Sequence, residues 1–169
     1  MRKINVTDQQ LHWAVDNNDV ETLMALFEHK IKPKIDITVL LTACTYPQLQ
    51  CLDILLPHTR PEDRALILEH AISFNQTHVV QMLTQYSLQQ EQWNHALWRA
   101  CSVKNQEMVE TLYPNANIQQ VNEMFKELEY TPDEPAYFIF LDQGKREQLK
   151  SKLTTETQHN GVSHSKSKM

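Results

Sequence analysis

A chain of 169 residues has room for one domain with a real core and little for a second. With 41% hydrophobic residues, 22% charged residues and only two glycines, it reads as a soluble, helix-rich protein and excludes the turn-dense all-β folds. The formal charge of −5 excludes a general nucleic-acid binder, which needs a basic face against the phosphates.

The opening MRKINVTDQQLHW carries Arg2 and Lys3 but no apolar run of signal-peptide length behind them. Nowhere do the roughly 20 apolar residues of a membrane span run together. The triplets NVT and NQT therefore carry no weight as glycosylation sites. Cys44, Cys51 and Cys101 are an odd number without CxxC spacing, so neither a disulfide framework nor a thiolate metal site is expected, and a reducing compartment fits.

The first periodic stretch, LHWAVDNNDVETLMALF at residues 11–27, reads as two short helices separated by Asn18 and Asp19. LLTACTYPQLQCLDILL, LEHAISFNQTHVVQMLT and LWRACSVKNQEMVETLY repeat the pattern. Ala14, Ala43, Ala71 and Ala100 fall in one column, 28 or 29 residues apart. Three residues before each alanine stands Leu11, Leu40, Leu68 or Leu97. Nine after it come Leu23, Leu52, Val80 and Val109, and twelve after it Leu26, Leu55, Leu83 and Leu112.

Positions −3 and 0 lie one turn apart on a first helix, and +9, +12 and +13 share a face of a second. Turn residues stand between: Pro47 and Gln48, Asn75 and Gln76, Lys104 and Asn105 in the later units. A small residue at the alanine position implies close approach of helices, where a larger side chain would overpack by roughly 1–3 kcal/mol. No two-helix unit can bury its own apolar face, so the units must stack. The predicted fold is all-α, an α-solenoid of four to five helix-turn-helix units.

The predicted units span about 7–36, 37–64, 65–93 and 94–117, with a degenerate cap over 118–153. In the cap Phe125, Leu128, Tyr137, Phe140 and Leu141 are assigned to −3, 0, +9, +12 and +13, with Pro132 and Pro135 in the turn and KREQLKSKL closing the array. Residues 154–169, TTETQHNGVSHSKSKM, have almost no large apolar side chains and are predicted to be a disordered polar tail.

The columns resemble the helical part of an ankyrin repeat, whose pattern runs Leu-His-x-Ala, a turn, paired aliphatics and Leu-Leu. His12, Val20, Leu23, Leu26 and Phe27 match it in unit one, and later units keep the aliphatic columns but lose the histidine. The resemblance covers about residues 7–113 and fades by 143. Ankyrin repeats are typically 33 residues long, so these units are four or five shorter. They lack the inter-helix glycine, and the links PHTRPED and TQYSLQQEQ have no hairpin chemistry. The β-hairpins are therefore expected to be reduced or absent. The 34-residue period and Trp-Leu-Gly-Tyr pattern of the rival tetratricopeptide assignment are missing.

The resemblance implies a non-catalytic protein that binds a partner protein through the first-helix, concave face. Carried over position by position, +2 and +3 point to the partner. They are Asp16 and Asn17, Thr45 and Tyr46, Ser73 and Phe74, and Ser102 and Val103. Tyr46, Phe74 and Val103 form an apolar ladder with Arg99 beside it, and Trp13 and Trp98 are candidate anchors. No metal, cofactor, nucleic acid or membrane insertion is expected, because the chain carries no HExxH, cation loop, phosphate loop or nucleophile elbow. Cys44 and Cys101 share the +1 column with Val15 and Ile72 and read as packing residues, against a low-probability Cys/His hydrolase. Two settings fit the binding module, both cytoplasmic. One is a bacterial effector exported to a host cell, and the other an inhibitor or regulatory subunit of an enzyme in the producing cell.

Overall fold

The computed structural model describes residues 6–28, 33–45 and 49–163. Among the described residues ten α-helices follow one another: α1 (Val6–Asp16), α2 (Val20–Glu28), α3 (Ile37–Thr45), α4 (Leu49–Leu55), α5 (Pro61–Ser73), α6 (Thr77–Leu83), α7 (Gln90–Ser102), α8 (Gln106–Leu112), α9 (Ile118–Glu127) and α10 (Pro135–Ser163). They pair as α1/α2, α3/α4, α5/α6 and α7/α8, while α10 lies against α7 and α8 and meets α9 through side chains such as Phe125 with Tyr137; each first helix packs on the next, α1 on α3, α3 on α5, α5 on α7 and α7 on α9. The second helices stack alongside, α2 on α4, α6 on α8 and α8 on α10. This is the α-solenoid that the repeat predicts.

The repeat columns are the core. Ala14, Ala43, Ala71 and Ala100 are buried, as are all four leucines at −3 and every residue at +9 and +12. Methyl-sized side chains at the helix crossings let the backbones approach, while the buried leucines and valines fill the space on either side. Val15, Cys44, Ile72 and Cys101 at +1 are buried in the same cluster, so the two cysteines pack as small hydrophobes.

Helices α1, α5 and α7 end in the same way. In unit one the N–H of Asp19 donates to the Ala14 carbonyl at 2.8 Å and that of Asn18 to Val15 at 3.2 Å; Gln76 and Asn75 repeat this on Ala71 and Ile72, and Asn105 and Lys104 on Ala100 and Cys101. This double closure places the residue at +4 in the left-handed region, with φ of 53° at Asn18, 58° at Asn75 and 59° at Lys104. Glycine is the usual occupant; here asparagine and lysine hold the strained backbone. Pro47, at +4 of unit two, lies outside the described residues.

Two expectations require correction. The fifth unit repeats the closure at Phe125, where the Tyr130 N–H donates to the Phe125 carbonyl at 2.9 Å and Glu129 has φ 59°. Phe125, not Leu128, therefore occupies the alanine column, and Leu128 moves to +3, where it is exposed. The misassignment arose from the turn. α10 begins ten residues after Phe125, whereas α2, α6 and α8 begin six after their alanines. No further first helix packs on α9 among the described residues, so the column is no longer squeezed. A phenyl ring fits, stacked on Tyr137 at 4.9 Å and near Phe140 at 5.3 Å, with Tyr130 edge-on at 5.4 Å.

The second correction concerns boundaries. Those expected at 64/65 and 93/94 fall inside α5 and α7, because Pro61 starts α5 at its first helical position and the Gln92 side chain accepts the Gln89 N–H at 3.0 Å to start α7. Residues 154 to 163, expected to be disordered, continue α10. No proline interrupts them, and the Thr154 and Thr155 hydroxyls donate back to the Lys150 and Ser151 carbonyls. Thr154 and Thr155 are themselves exposed. Residues 164–169 of the expected tail lie outside the described residues.

The links are short and contain no strand among the described residues. After α4 the chain makes a single 3₁₀ turn, Leu56–His58, and Arg64 reaches back to fix it. Its guanidinium donates to the Leu56 carbonyl at 3.1 Å and to the Thr59 carbonyl at 2.9 Å, and lies 4.5 Å from the Tyr86 ring centroid. One cation thus ties two successive links in the place of a hairpin ladder.

Candidate partner-binding face

Helices α1, α5, α7 and α9 carry their +2 and +3 residues at their C-terminal ends, just before the left-handed closure. Phe74 is 66% exposed and Val103 41%, and Leu128, missed from sequence, is 53% exposed at the same repeat position. Three consecutive units thus carry an uncovered apolar side chain in one row. The Phe74 ring lies tilted against His70 with centroids 4.4 Å apart. Tyr46, the remaining rung expected, and the Thr45 side chain lie outside the described residues.

A polar strip runs beside the row. Arg99 donates to the Ser73 hydroxyl at 2.8 Å and stands 3.8 Å from a Glu69 carboxylate oxygen, while His95 Nδ1 lies 2.7 Å from the other oxygen. The Ser73 hydroxyl in turn donates to the Glu69 carbonyl at 2.9 Å. Arg99 and Ser73 are therefore brought together across α5 and α7, and Arg99 is held rather than free. Ser102 is half-buried and donates to the Trp98 carbonyl at 3.0 Å.

The remaining expected residues separate. Trp13 is exposed at the far end of the array, with the Asn17 amide donating to its carbonyl at 2.8 Å and Asp16 in water nearby. Trp98 is half-buried against the core; its indole N–H is buried with no hydrogen-bond partner among the described residues, so it offers a partner little beyond its ring edge. The cysteines have no nucleophilic setting. Burial pushes the Cys44 and Cys101 thiols up to about 12, and burial together with the Asp19 carboxylate raises that of Cys51, whose Sγ donates to the Asn18 amide oxygen at 3.2 Å.

Sequence reading also overlooked the polar ties between units. Asn94 is buried on α7; its oxygen accepts the Asn117 N–H at 2.7 Å and its amide donates to Gln120 at 2.6 Å, joining α7 to the start of α9. The Asn105 oxygen caps α8 through the Met108 N–H at 3.0 Å, while its amide donates to Asn75 at 2.6 Å. The only available signal was that asparagine recurs where helices start.

Two-helix units stacked in register around an alanine column, with left-handed turns within units and an uncovered first-helix row, define a helical-repeat scaffold. The family model for ankyrin repeats, in three copies, matches residues 11–92, and the units within that span are ankyrin repeats. The fourth and fifth units lie largely or wholly beyond the match and continue its geometry through Ala100 and Phe125. No curated protein and no solved structure matches the chain. Ankyrin repeats are protein–protein interaction modules, and the family is generally non-catalytic. No helix among the described residues is long and apolar enough to cross a membrane.

Proposed function

We propose that the chain is a non-catalytic module that binds a partner protein through its first-helix face, with Phe74, Val103 and Leu128 at the centre of contact. One observation carries the reading: three consecutive units leave an apolar side chain uncovered at the same position, although the −3, 0, +1, +9 and +12 columns bury theirs. Removing such a row from water is the main driving force a partner could use, at roughly 25 cal/mol per Å². The Arg99–Ser73–Glu69 strip lies beside it as a polar rim, as interfaces commonly have. Asp16 and Asn17 would form a polar end of the same face.

The test is affinity purification with mass spectrometry on the full chain and on a Phe74→Ser, Val103→Ser, Leu128→Ser variant. A partner retained by the first and lost by the second, with an unchanged melting temperature, is the expected result. Retention by both would move the binding surface elsewhere. The setting is proposed to be that of an effector in a host cell, supported by the polar composition of residues 154–169, with an inhibitor of an enzyme in the producing cell as the competing role. A translocation assay with and without residues 154–169 separates the two.

A further inference from the structure

A second feature of the first-helix face lies towards the N-terminal ends of α5 and α7. Here the helices leave a cavity of about 460 Å³, lined by Glu62, Ala65, Leu66, Glu69, Glu91 and His95 among others. Leu66 is 55% exposed at its floor, although it stands mid-helix between the buried Asp63 and Ile67. Glu62 and Glu91 occupy the same repeat position, nine residues before Ala71 and Ala100, on opposite walls. Asp63 is engaged by Arg60 at 2.9 Å and Glu69 by His95, whereas Glu62 and Glu91 make no hydrogen bond or direct ion pair among the described residues, Glu62 sharing only the longer-range field of Arg60. A glutamate in the first turn suits its own helix dipole. That preference does not require two such residues to face one groove over an exposed leucine.

We propose that this groove receives a basic segment of the partner protein, resting on the reading of the first-helix face as the binding surface. An arginine or lysine of that segment lays its aliphatic stem along Ala65 and Leu66 and brings its head group to Glu62 and Glu91. Side chains of this build cover apolar surface with their stems while keeping the charge at a polar edge. Arginine adds a planar fork that suits carboxylates on two walls. A neutral aliphatic segment would leave both carboxylates partly desolvated without a counter-charge, and an acidic one would be repelled.

The experiment selects random heptapeptides on phage against the full chain and measures the recovered sequences as fluorescein-labelled peptides at low and physiological salt. The expected peptides pair arginine or lysine with an aliphatic residue, weaken as salt rises, and bind at least about tenfold more weakly to a Glu62→Gln, Glu91→Gln variant. The same loss is expected when the basic residue of the peptide is changed to glutamine, which leaves the protein untouched. Recovery of no peptide, of peptides without basic residues, or of peptides indifferent to both changes overturns the groove assignment. If such peptides are instead lost with Phe74→Ser, Val103→Ser and Leu128→Ser, the first-helix reading stands without the groove; if they are indifferent to every variant, both fall.

Discussion

Replacing Lys104 or Glu129 by glycine is expected to stabilise this protein. Both residues sit at φ 59° in the closure of a first helix, and no side-chain hydrogen bond holds Lys104 or Glu129 there among the described residues. An L-residue in the left-handed region costs roughly 1–2 kcal/mol, which glycine avoids. Against this, glycine adds about 0.5–1 kcal/mol of backbone entropy to the unfolded chain. The difference is a gain of about 0.5–1 kcal/mol per site. The two sites belong to different units, so Lys104→Gly with Glu129→Gly should add to about 1–2 kcal/mol without changing the net charge. At about 2–4 °C per kcal/mol for a chain of this size, the double variant should melt roughly 2–8 °C higher by circular dichroism. Asn75→Gly is the control. Asparagine tolerates this backbone better, and its side chain accepts from Asn105 at 2.6 Å, so this variant should be neutral or less stable. If the lysine and glutamate variants melt lower while the asparagine variant melts higher, the strain argument is wrong.

Other consequences can be measured in parallel. Ala71→Leu should cost about 1–3 kcal/mol in urea unfolding, because the α3–α5–α7 crossing has no spare volume. Phe125→Ala should cost about 3–5 kcal/mol by emptying the space between Tyr130, Tyr137 and Phe140, whereas Leu128→Ala should stay within about 0.5 kcal/mol. Equal costs would restore the abandoned register. Cys101 and Cys44 should resist alkylation in the native state at mildly alkaline pH and react fully in denaturant, and fast native labelling of either would contradict their burial. The Thr22 hydroxyl, and then its N–H, hold the Asp19 carboxyl below its ordinary value of 3.8. The stability it adds is complete above the ordinary value and is lost as pH falls below it, through the lower folded pKa. Asp19→Asn should therefore flatten the acid limb of the stability profile, and an unchanged limb would exclude the cap as its source.

The repeat was legible because burial at the crossing is a strong and periodic demand. Ala14, Ala43, Ala71 and Ala100 record it directly, with leucine three before each. What failed was any inference across the last turn. Counting at constant spacing placed Leu128 in the core, since nothing in the residue types says that the Tyr130–Glu134 connection is longer. The shared backbone geometry at Glu129 says so at once, because hydrogen bonds fix register where side-chain types drift. The binding row was half legible. Phe74 and Val103 followed from their columns, while Leu128 depended on the corrected register and the Leu66 groove on the lengths of α5 and α7, set by Pro61 and Gln92. The link chemistry was invisible, since Arg64 acts between two loops far apart in the chain.

The ring at Phe125 also sets a rule for rebuilding the array. A helix stacked directly on α9 would meet an aromatic side chain where every earlier junction offers a methyl group, so the solenoid is sealed against growth on that side. Extra units would be accepted between α8 and α9, where Ala100 still presents the small surface, and an array lengthened beyond α10 would first need Phe125 exchanged for alanine together with the aromatic residues that surround it.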